Sequence, residues 1–175
     1  GPKQGLDQAI PKFILQALNN KKITIYGTGN QTRDYTFVSD AVKGYASWGT
    51  TPKIEGQTIN FGTGNEIKIK ELASLILKLT KSKSKLIFDK KLRTGETPRL
   101  LCDPKYANKM LKWKPTMSLE KGLIETVEFF KDKKELVSNL PYMLWKFIHH
   151  LFNFFFNINL LRNPWNKIFY FIRKH

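Results

Sequence analysis

Residues 23–40 read ITIYGTGNQTRDYTFVSD, and this stretch decides the fold. Two runs rich in β-branched and aromatic residues, 23–26 and 35–38, flank a loop that contains Gly27 and Gly29. That pattern predicts strand, turn, strand. Arg33 stands where the second run begins, and its guanidinium offers a planar fork of donors to a phosphate or carboxylate. Ser39 is placed to cap a helix running through Val42, Tyr45, Ala46 and Trp48.

Outward from this block the chain alternates helical and strand-like segments. Upstream, Ile10, Phe13, Ile14, Ala17 and Leu18 recur at the spacing of one helical face over residues 8–18, and Asn19-Asn20 ends the run. Downstream, residues 58–61 form a short β-rich run before Gly62-Thr63-Gly64. Residues 69–79 predict the clearest helix, with Ile69, Leu72, Ala73, Ile76, Leu77 and Leu79 on one face and lysines opposite. Residues 85–89 follow as a strand, then a loop with Arg93, Gly95, Glu96, Pro98 and Arg99. Pro104 suits the first turn of a helix ending near Trp113. Ser118 caps a last helix with Leu119, Leu123, Thr126, Val127 and Phe130 on one side. Short separated strands among helices predict an α/β layer arrangement rather than a bundle or a sandwich. The tetrapeptide GTGN occurs at 27–30 and again at 62–65, each placed to end a strand. Neither copy extends to G-x-G-x-x-G, so turn chemistry accounts for both.

Composition narrows the classes. The 175 residues suffice for one domain of ordinary size, and 41% hydrophobic content suits a globular chain. A single cysteine, Cys102, excludes a disulfide framework and a paired-cysteine zinc signature, and fits a reducing, cytoplasmic setting. The formal charge of +16 is spread along the chain. It would attract polyanions, or it is a solvated lysine surface. A nucleic-acid binder is disfavoured, because no RNP-like aromatic pair, KH loop or helix-turn-helix pattern accompanies the charge. The chain contains no metal-ligand cluster, Walker A loop or G-x-S-x-G elbow. It begins Gly-Pro with no signal-peptide pattern, which suggests a processed product or a fragment.

Composition shifts after Lys134, giving expected units of 1–133 and 134–175. Pro141 interrupts any helix continuing from the first unit. Lys146, His149, His150, Asn153 and Asn157 then draw a narrow polar stripe along a helix that is otherwise apolar and aromatic. Such a tail is too polar for a bilayer span of roughly 20 apolar residues. It can lie in a membrane interface, with Arg162, Lys167, Arg173 and Lys174 toward anionic headgroups. It can equally dock on another subunit or on another part of the protein.

Residues 1–131 resemble the carboxy-terminal half of the NAD-dependent nucleotide-sugar epimerases and dehydratases, the extended short-chain dehydrogenase/reductases. Gly1-Pro2-Lys3-Gln4, the helix of residues 9–14, the 23–40 block, Asn60-Phe61-Gly62-Thr63-Gly64, Arg93-Thr94-Gly95-Glu96 and the helix of residues 103–113 with Lys114-Pro115 occur in the family's order. The resemblance implies a small mixed sheet with helices that binds a UDP- or dTDP-linked sugar. Tyr26 would stack on the base, Arg33 and Arg93 would meet the diphosphate from two sides, and Glu96 would accept the ribose hydroxyls. Asn60 would lie near the phosphates and Gln8 at the base edge. Leu100 stands where some members carry an aromatic, and Lys68 where Ser or Thr usually caps a helix. The family's NAD loop and its catalytic Tyr/Lys pair belong to the amino-terminal half. Tyr142/Lys146 and Tyr170/Lys174 have the pair's spacing but lie in the aromatic tail, far from any cofactor loop. The resemblance therefore implies NAD for the parent enzyme, no turnover by this chain alone, and a partner: an amino-terminal half or a homodimer subunit. A stand-alone binding or membrane-adaptor module is the alternative.

Overall fold

The computed structural model describes residues 8–90 and 95–132. Helix α1 (Ala9–Leu18) leads into strand β1 (Ile23–Tyr26), and β2 (Thr32–Arg33) follows after the turn. Then come α2 (Val38–Thr50), β3 (Ile67–Lys68), α3 (Ile69–Thr80), β4 (Leu86–Asp89), β5 (Arg99–Leu100), α4 (Lys105–Leu111) and α5 (Leu119–Asp132). The strands make two small sheets. One pairs β1 with β4 in parallel, Ile23 beside Leu86 and Tyr26 beside Asp89. The other runs in the order β3-β2-β5, antiparallel on one side of β2 and parallel on the other. This is the α/β arrangement of small mixed sheets and helices that the alternating segments predict.

The core forms where α1, α3 and α5 bury their apolar stripes on β1. Ile14, Ile23, Ile25, Leu72, Ala73 and Ile76 are fully enclosed, with Leu123, Val127 and Phe130 from α5 closing the cluster. Ile23 and Ile25 face inward while Thr24 and Tyr26 are half-buried, the period of two that a strand imposes. Tyr26 is thereby held away from the core. Ser118 caps α5 as expected, its hydroxyl accepting the Lys121 N–H at 3.3 Å.

The block that decides the fold departs from its sequence reading in three places. The second strand is Thr32–Arg33, and residues 35–37 form no ladder. Helix α2 starts at Val38 with Phe37 as its cap residue, so Ser39 lies inside the first turn. The large apolar residues of α2 also face outward: Val42, Tyr45 and Trp48 are exposed, whereas Asp40 and Gly44 are buried. One carboxylate explains all three. Asp40 accepts the Thr116 and Met117 N–H groups at 2.8 Å each and the Thr116 hydroxyl at 2.8 Å. Its own carbonyl accepts the Trp113 indole N–H at 2.9 Å. These bonds fix the first turn of α2 against the loop before α5, and a β-propensity of about 1 kcal/mol cannot compete with them.

Residues 58–61 are the fourth departure. Their exposure alternates as in a strand, but they join no ladder among the described residues. Pro104, expected in the first turn of its helix, is the cap residue of α4.

Gly62 is required by close approach. A methyl group there would lie 2.2 Å from Cys102 Cβ and 2.9 Å from Asp34 Oδ2. Asp34 is tied in turn to the N–H groups of Thr63 and Gly64 at 2.9–3.0 Å, so the neighbours cannot withdraw. Gly62→Ala is expected to cost about 3 kcal/mol, the upper range for overpacking, read as a lower urea midpoint at unchanged slope.

Candidate functional site

The site assembles at the carboxyl end of β1. Gly27 continues the β1–β4 ladder, its N–H donating to Asp89 O at 2.8 Å, and the chain then reverses through Gly27 (φ 66°) and Gly29 (φ 70°). Positive φ at both positions favours glycine. Space at Gly29 adds to this, since a Cβ there would meet Ile25 and Lys70 at 3.0 Å. The reversal brings Gln31 back under Tyr26, where its side-chain amide donates to the Tyr26 carbonyl at 3.1 Å.

Glu96 comes from a distant part of the chain. Thr32 N–H donates to Pro98 O at 3.0 Å, and β5 pairs with β2, so the loop before β5 is laid beside Arg33. Arg33 Nη1 donates to the carbonyls of Thr32 (2.7 Å) and Thr97 (2.8 Å), and Nη2 lies 3.4 Å from Glu96 Oε1. The same Oε1 receives Gln31 Nε2 at 3.3 Å. Both charged side chains are about one-fifth exposed. At 3.4 Å the ion pair is looser than the 2.7–2.9 Å of a strong charge-assisted bond. Among the described residues Glu96 Oε2 and Arg33 Nε carry no hydrogen bond. The group is thus oriented on one side and available on the other.

Arg33 and Glu96 are therefore brought together, and Gln31 ties them to the backbone carbonyl of Tyr26. Gln8 caps α1 and is exposed; its side chain makes no capping bond. It stands one turn before Lys12, whose ammonium sits 5.2 Å from the centre of the Tyr26 ring. Among the described residues no hydrogen bond or ion pair joins Asn60 to the group. It is exposed in the unpaired segment beside Phe61. Arg93 lies outside the described residues, as does the whole tail 134–175 with its two Tyr-x-x-x-Lys spacings.

Sequence reading missed Gln31, Lys12 and Tyr35. Two signals were available: Gln31 and Arg33, two apart in an extended run, share a face, and Lys12 shares a helix face with Gln8. Tyr35, two residues beyond Arg33 in the same run, carries the first of these signals as well. Burial, opposed by Arg33 and reinforced by Glu96, pushes its phenol up to about 12, so it stays a neutral donor. Tyr35 also lines a cavity of about 380 Å³ with Thr63, Asn65, Glu66, Pro115 and Thr116. Most polar groups there are already engaged: Thr63 with Asp34, Thr116 with Asp40, and Glu66 with Thr32 and Arg99. The Gln31–Glu96–Arg33 group beside Tyr26, in which Glu96 Oε2 and Arg33 Nε carry no hydrogen bond among the described residues, is the better candidate for a ligand.

Among the described residues no group of three or more His, Cys, Asp or Glu could hold a metal. No helix there is long and apolar enough to cross a membrane.

This fold, with an arginine of the second strand facing a loop carboxylate, is that of the extended short-chain dehydrogenase/reductases. The family model for GDP-mannose 4,6 dehydratase matches residues 1–126, and the chain belongs to that family. It is similar to UDP-N-acetyl-alpha-D-glucosaminuronate decarboxylase of Bacillus cytotoxicus, 37% identical over 137 residues, covering 75% of this chain and 41% of the relative. It is also similar to dTDP-glucose 4,6-dehydratase 1 of Escherichia coli, 32% identical, covering 83% of this chain and 43% of that one. Among solved structures it matches UDP-glucuronic acid 4-epimerase from Bacillus cereus in complex with UDP-glucuronic acid and NAD. The TM-score is 0.71 and the identity 33%, covering 75% of this chain and 42% of that one. The chain thus spans about two fifths of the length of the relatives it matches.

Proposed function

We propose that this chain is the nucleotide-sugar-binding part of an NAD-dependent epimerase, dehydratase or decarboxylase, and that it holds a UDP- or dTDP-linked sugar by its nucleotide. One observation carries the reading: Arg33 is braced by two backbone carbonyls and a loosely held carboxylate, and its Nε–H carries no hydrogen bond among the described residues. A diphosphate oxygen can take the Nη2 hydrogen now shared with Glu96 and the free Nε–H together, a bidentate geometry that a guanidinium fork matches. Glu96, released from Arg33, keeps its bond to Gln31 and offers Oε2 to a vicinal diol. Tyr26 presents its ring for stacking, worth about 1–3 kcal/mol for a base. Arg93 would close the diphosphate from the second side, and Gln8 with Lys12 would meet the base edge. Asn60 would lie near the phosphates.

The similarity to proteins solved with UDP-sugar and NAD supports the same reading. NAD would supply the hydride acceptor when bound. The residues described here bind and orient the nucleotide, and positioning of that kind is worth several kcal/mol of a reaction barrier. This chain by itself turns nothing over, since hydride transfer and proton abstraction fall to other parts of such an enzyme.

The test is calorimetry of the 175-residue chain with UDP, UMP and uridine, and with dTDP and GDP. UDP or dTDP is expected to bind at least about tenfold more tightly than UMP, because the second phosphate engages the guanidinium. Equal affinity for UDP and uridine, or none for any diphosphate, would overturn the assignment.

A further inference from the structure

Helices α1 and α3 end side by side, and in the same way. Asn20 and Lys81 follow them in the left-handed conformation, each at φ 51°. The next residue donates back five positions, Lys21 N–H to Gln16 O at 2.8 Å and Ser82 N–H to Leu77 O at 3.1 Å. The Ser82 hydroxyl donates to Ala17 O at 2.7 Å, and Ile23 N–H donates to Lys85 O at 2.9 Å. Residues 19–23 and 81–85 are thereby tied together where β1 and β4 begin. Along the second segment exposure alternates: Ser82 and Ser84 are half-buried, and Lys81, Lys83 and Lys85 are exposed. With Lys21, Lys22 and Lys78, also exposed, six lysines stand at this end of the fold.

The cluster differs from an ordinary solvated lysine surface, in which both signs are interspersed. Residues 8–33 and 72–88 contain no acid. Among the described residues none of the six lysines forms an ion pair. Elsewhere Lys43, Lys68, Lys105 and Lys131 each lie 2.7–3.8 Å from a carboxylate. Six unpaired ammonium groups repel one another, and the carbonyls of two helix ends offset that only in part. A polyanion laid against this end would remove the repulsion.

We propose that the lysine end of the folded unit is a docking face for an anionic phospholipid surface. Two observations select lipid over nucleic acid. All six cations are lysine, and residues 19–22 and 78–85 hold no aromatic, so the face has neither guanidinium forks nor rings on which bases could stack. The sequence of residues 134–175 supplies what a bilayer takes. Trp145, Phe154-Phe155-Phe156 and Trp165 accompany Lys146, Arg162, Lys167, Arg173 and Lys174, with Glu135 as the only acid. Stable anchoring takes two signals, an apolar one and a polybasic one, and the lysine face is the second. The face lies at the opposite end of β1 from the Arg33–Glu96 group. The proposal is therefore independent of the nucleotide reading, and a docked chain keeps that group open.

The experiment is sedimentation of the full 175-residue chain with vesicles of phosphatidylcholine alone or with about 30% phosphatidylglycerol. At least about tenfold tighter binding to the anionic vesicles is expected, lost on raising salt from about 0.05 M to about 0.5 M. Each lysine near the surface contributes about fivefold, so Lys21→Glu/Lys22→Glu/Lys83→Glu should weaken binding at least about a hundredfold. Replacement of the same three by Gln should give a smaller loss, and the melting temperature of both variants should match that of the wild type. Lys109→Glu/Lys112→Glu/Lys114→Glu, on and after α4, which packs on α2, changes the net charge equally and should matter far less. Equal loss from the two Glu triples would make net charge, not this face, responsible and would overturn the proposal. So would equal affinity for both vesicle types, no vesicle binding, or tighter binding to single-stranded DNA than to anionic vesicles.

Discussion

Arg33→Ala is expected to weaken UDP binding by about 30- to 1,000-fold. Two charge-assisted hydrogen bonds to one phosphate would be lost, together worth about 2–4 kcal/mol. The substitution also frees Glu96, whose carboxylate would then face the diphosphate without its partner guanidinium and repel it. Arg33→Lys is expected to recover only part of the loss. An ammonium replaces the charge but cannot brace itself on Thr32 O and Thr97 O while presenting two parallel donors. Calorimetry with UDP and with uridine reads the outcome. Uridine binding should be nearly unchanged, because the residues proposed for base and ribose, Tyr26 and Glu96, remain. If all nucleosides weaken equally, Arg33 acts by holding the 95–98 loop in place rather than by contacting phosphate. If neither weakens, the site is elsewhere.

The second large effect concerns the fold that carries the site. Asp40→Ala is expected to destabilise the domain by about 3–5 kcal/mol, because the part-buried N–H groups of Thr116 and Met117 and the Thr116 hydroxyl all lose their acceptor. For a domain of this size that corresponds to a fall in Tm on the order of 10–20 °C. Asp40→Asn is expected to recover only part of this: its amide oxygen can accept both N–H groups and its nitrogen can donate to the Thr116 hydroxyl, but the charge that strengthens these bonds is lost. The pH dependence has a definite sign. Burial alone would raise the Asp40 pKa. The Met117 and Thr116 N–H groups, the Thr116 hydroxyl and nearby Lys43 outweigh burial and hold it below the ordinary 3.8. A depressed folded value means that the unfolded chain takes up its proton first as acidity rises. The stabilisation is therefore complete above about pH 4–5 and is lost as pH falls through the folded value. Urea unfolding of wild type and Asp40→Asn from pH 7 to pH 3 should show the gap between them closing only at the acid end. A constant gap would mean that Asp40 acts through packing alone.

How much of this was legible beforehand differs from element to element. Helices α1, α3 and α5 could be read closely because each carries an uninterrupted apolar stripe and buries it locally, against β1 and against one another. Helix α2 shows the opposite: its stripe of Val42, Tyr45 and Trp48 is as clear as any other, yet it points outward. Periodicity tells that a helix has an apolar face; it does not tell what covers that face. The run at 58–61 has the composition of a strand and lacks a ladder, because a ladder is a property of two segments, and composition records only one. In the candidate group, Tyr26, Arg33 and Glu96 were singled out from order and residue type. Gln31, which ties them together, was not, although it lies two residues from Arg33 in the same run.

By itself the sequence determined the α/β class, the family and the three core helices, and it singled out Tyr26, Arg33 and Glu96 as candidates, since each rests on local spacing or on residue types kept in a fixed order. Only the tertiary structure decided that Asp40 turns α2 over, that Glu96 and Gln31 share one carboxylate oxygen's reach with Arg33, and that an apolar face and an unpaired segment lie side by side. The first two depend on hydrogen bonds between residues more than sixty positions apart and the third on the ring contact of Phe61 with Tyr45, and the closing of such distances is fixed by the packing of the whole domain rather than by any local pattern.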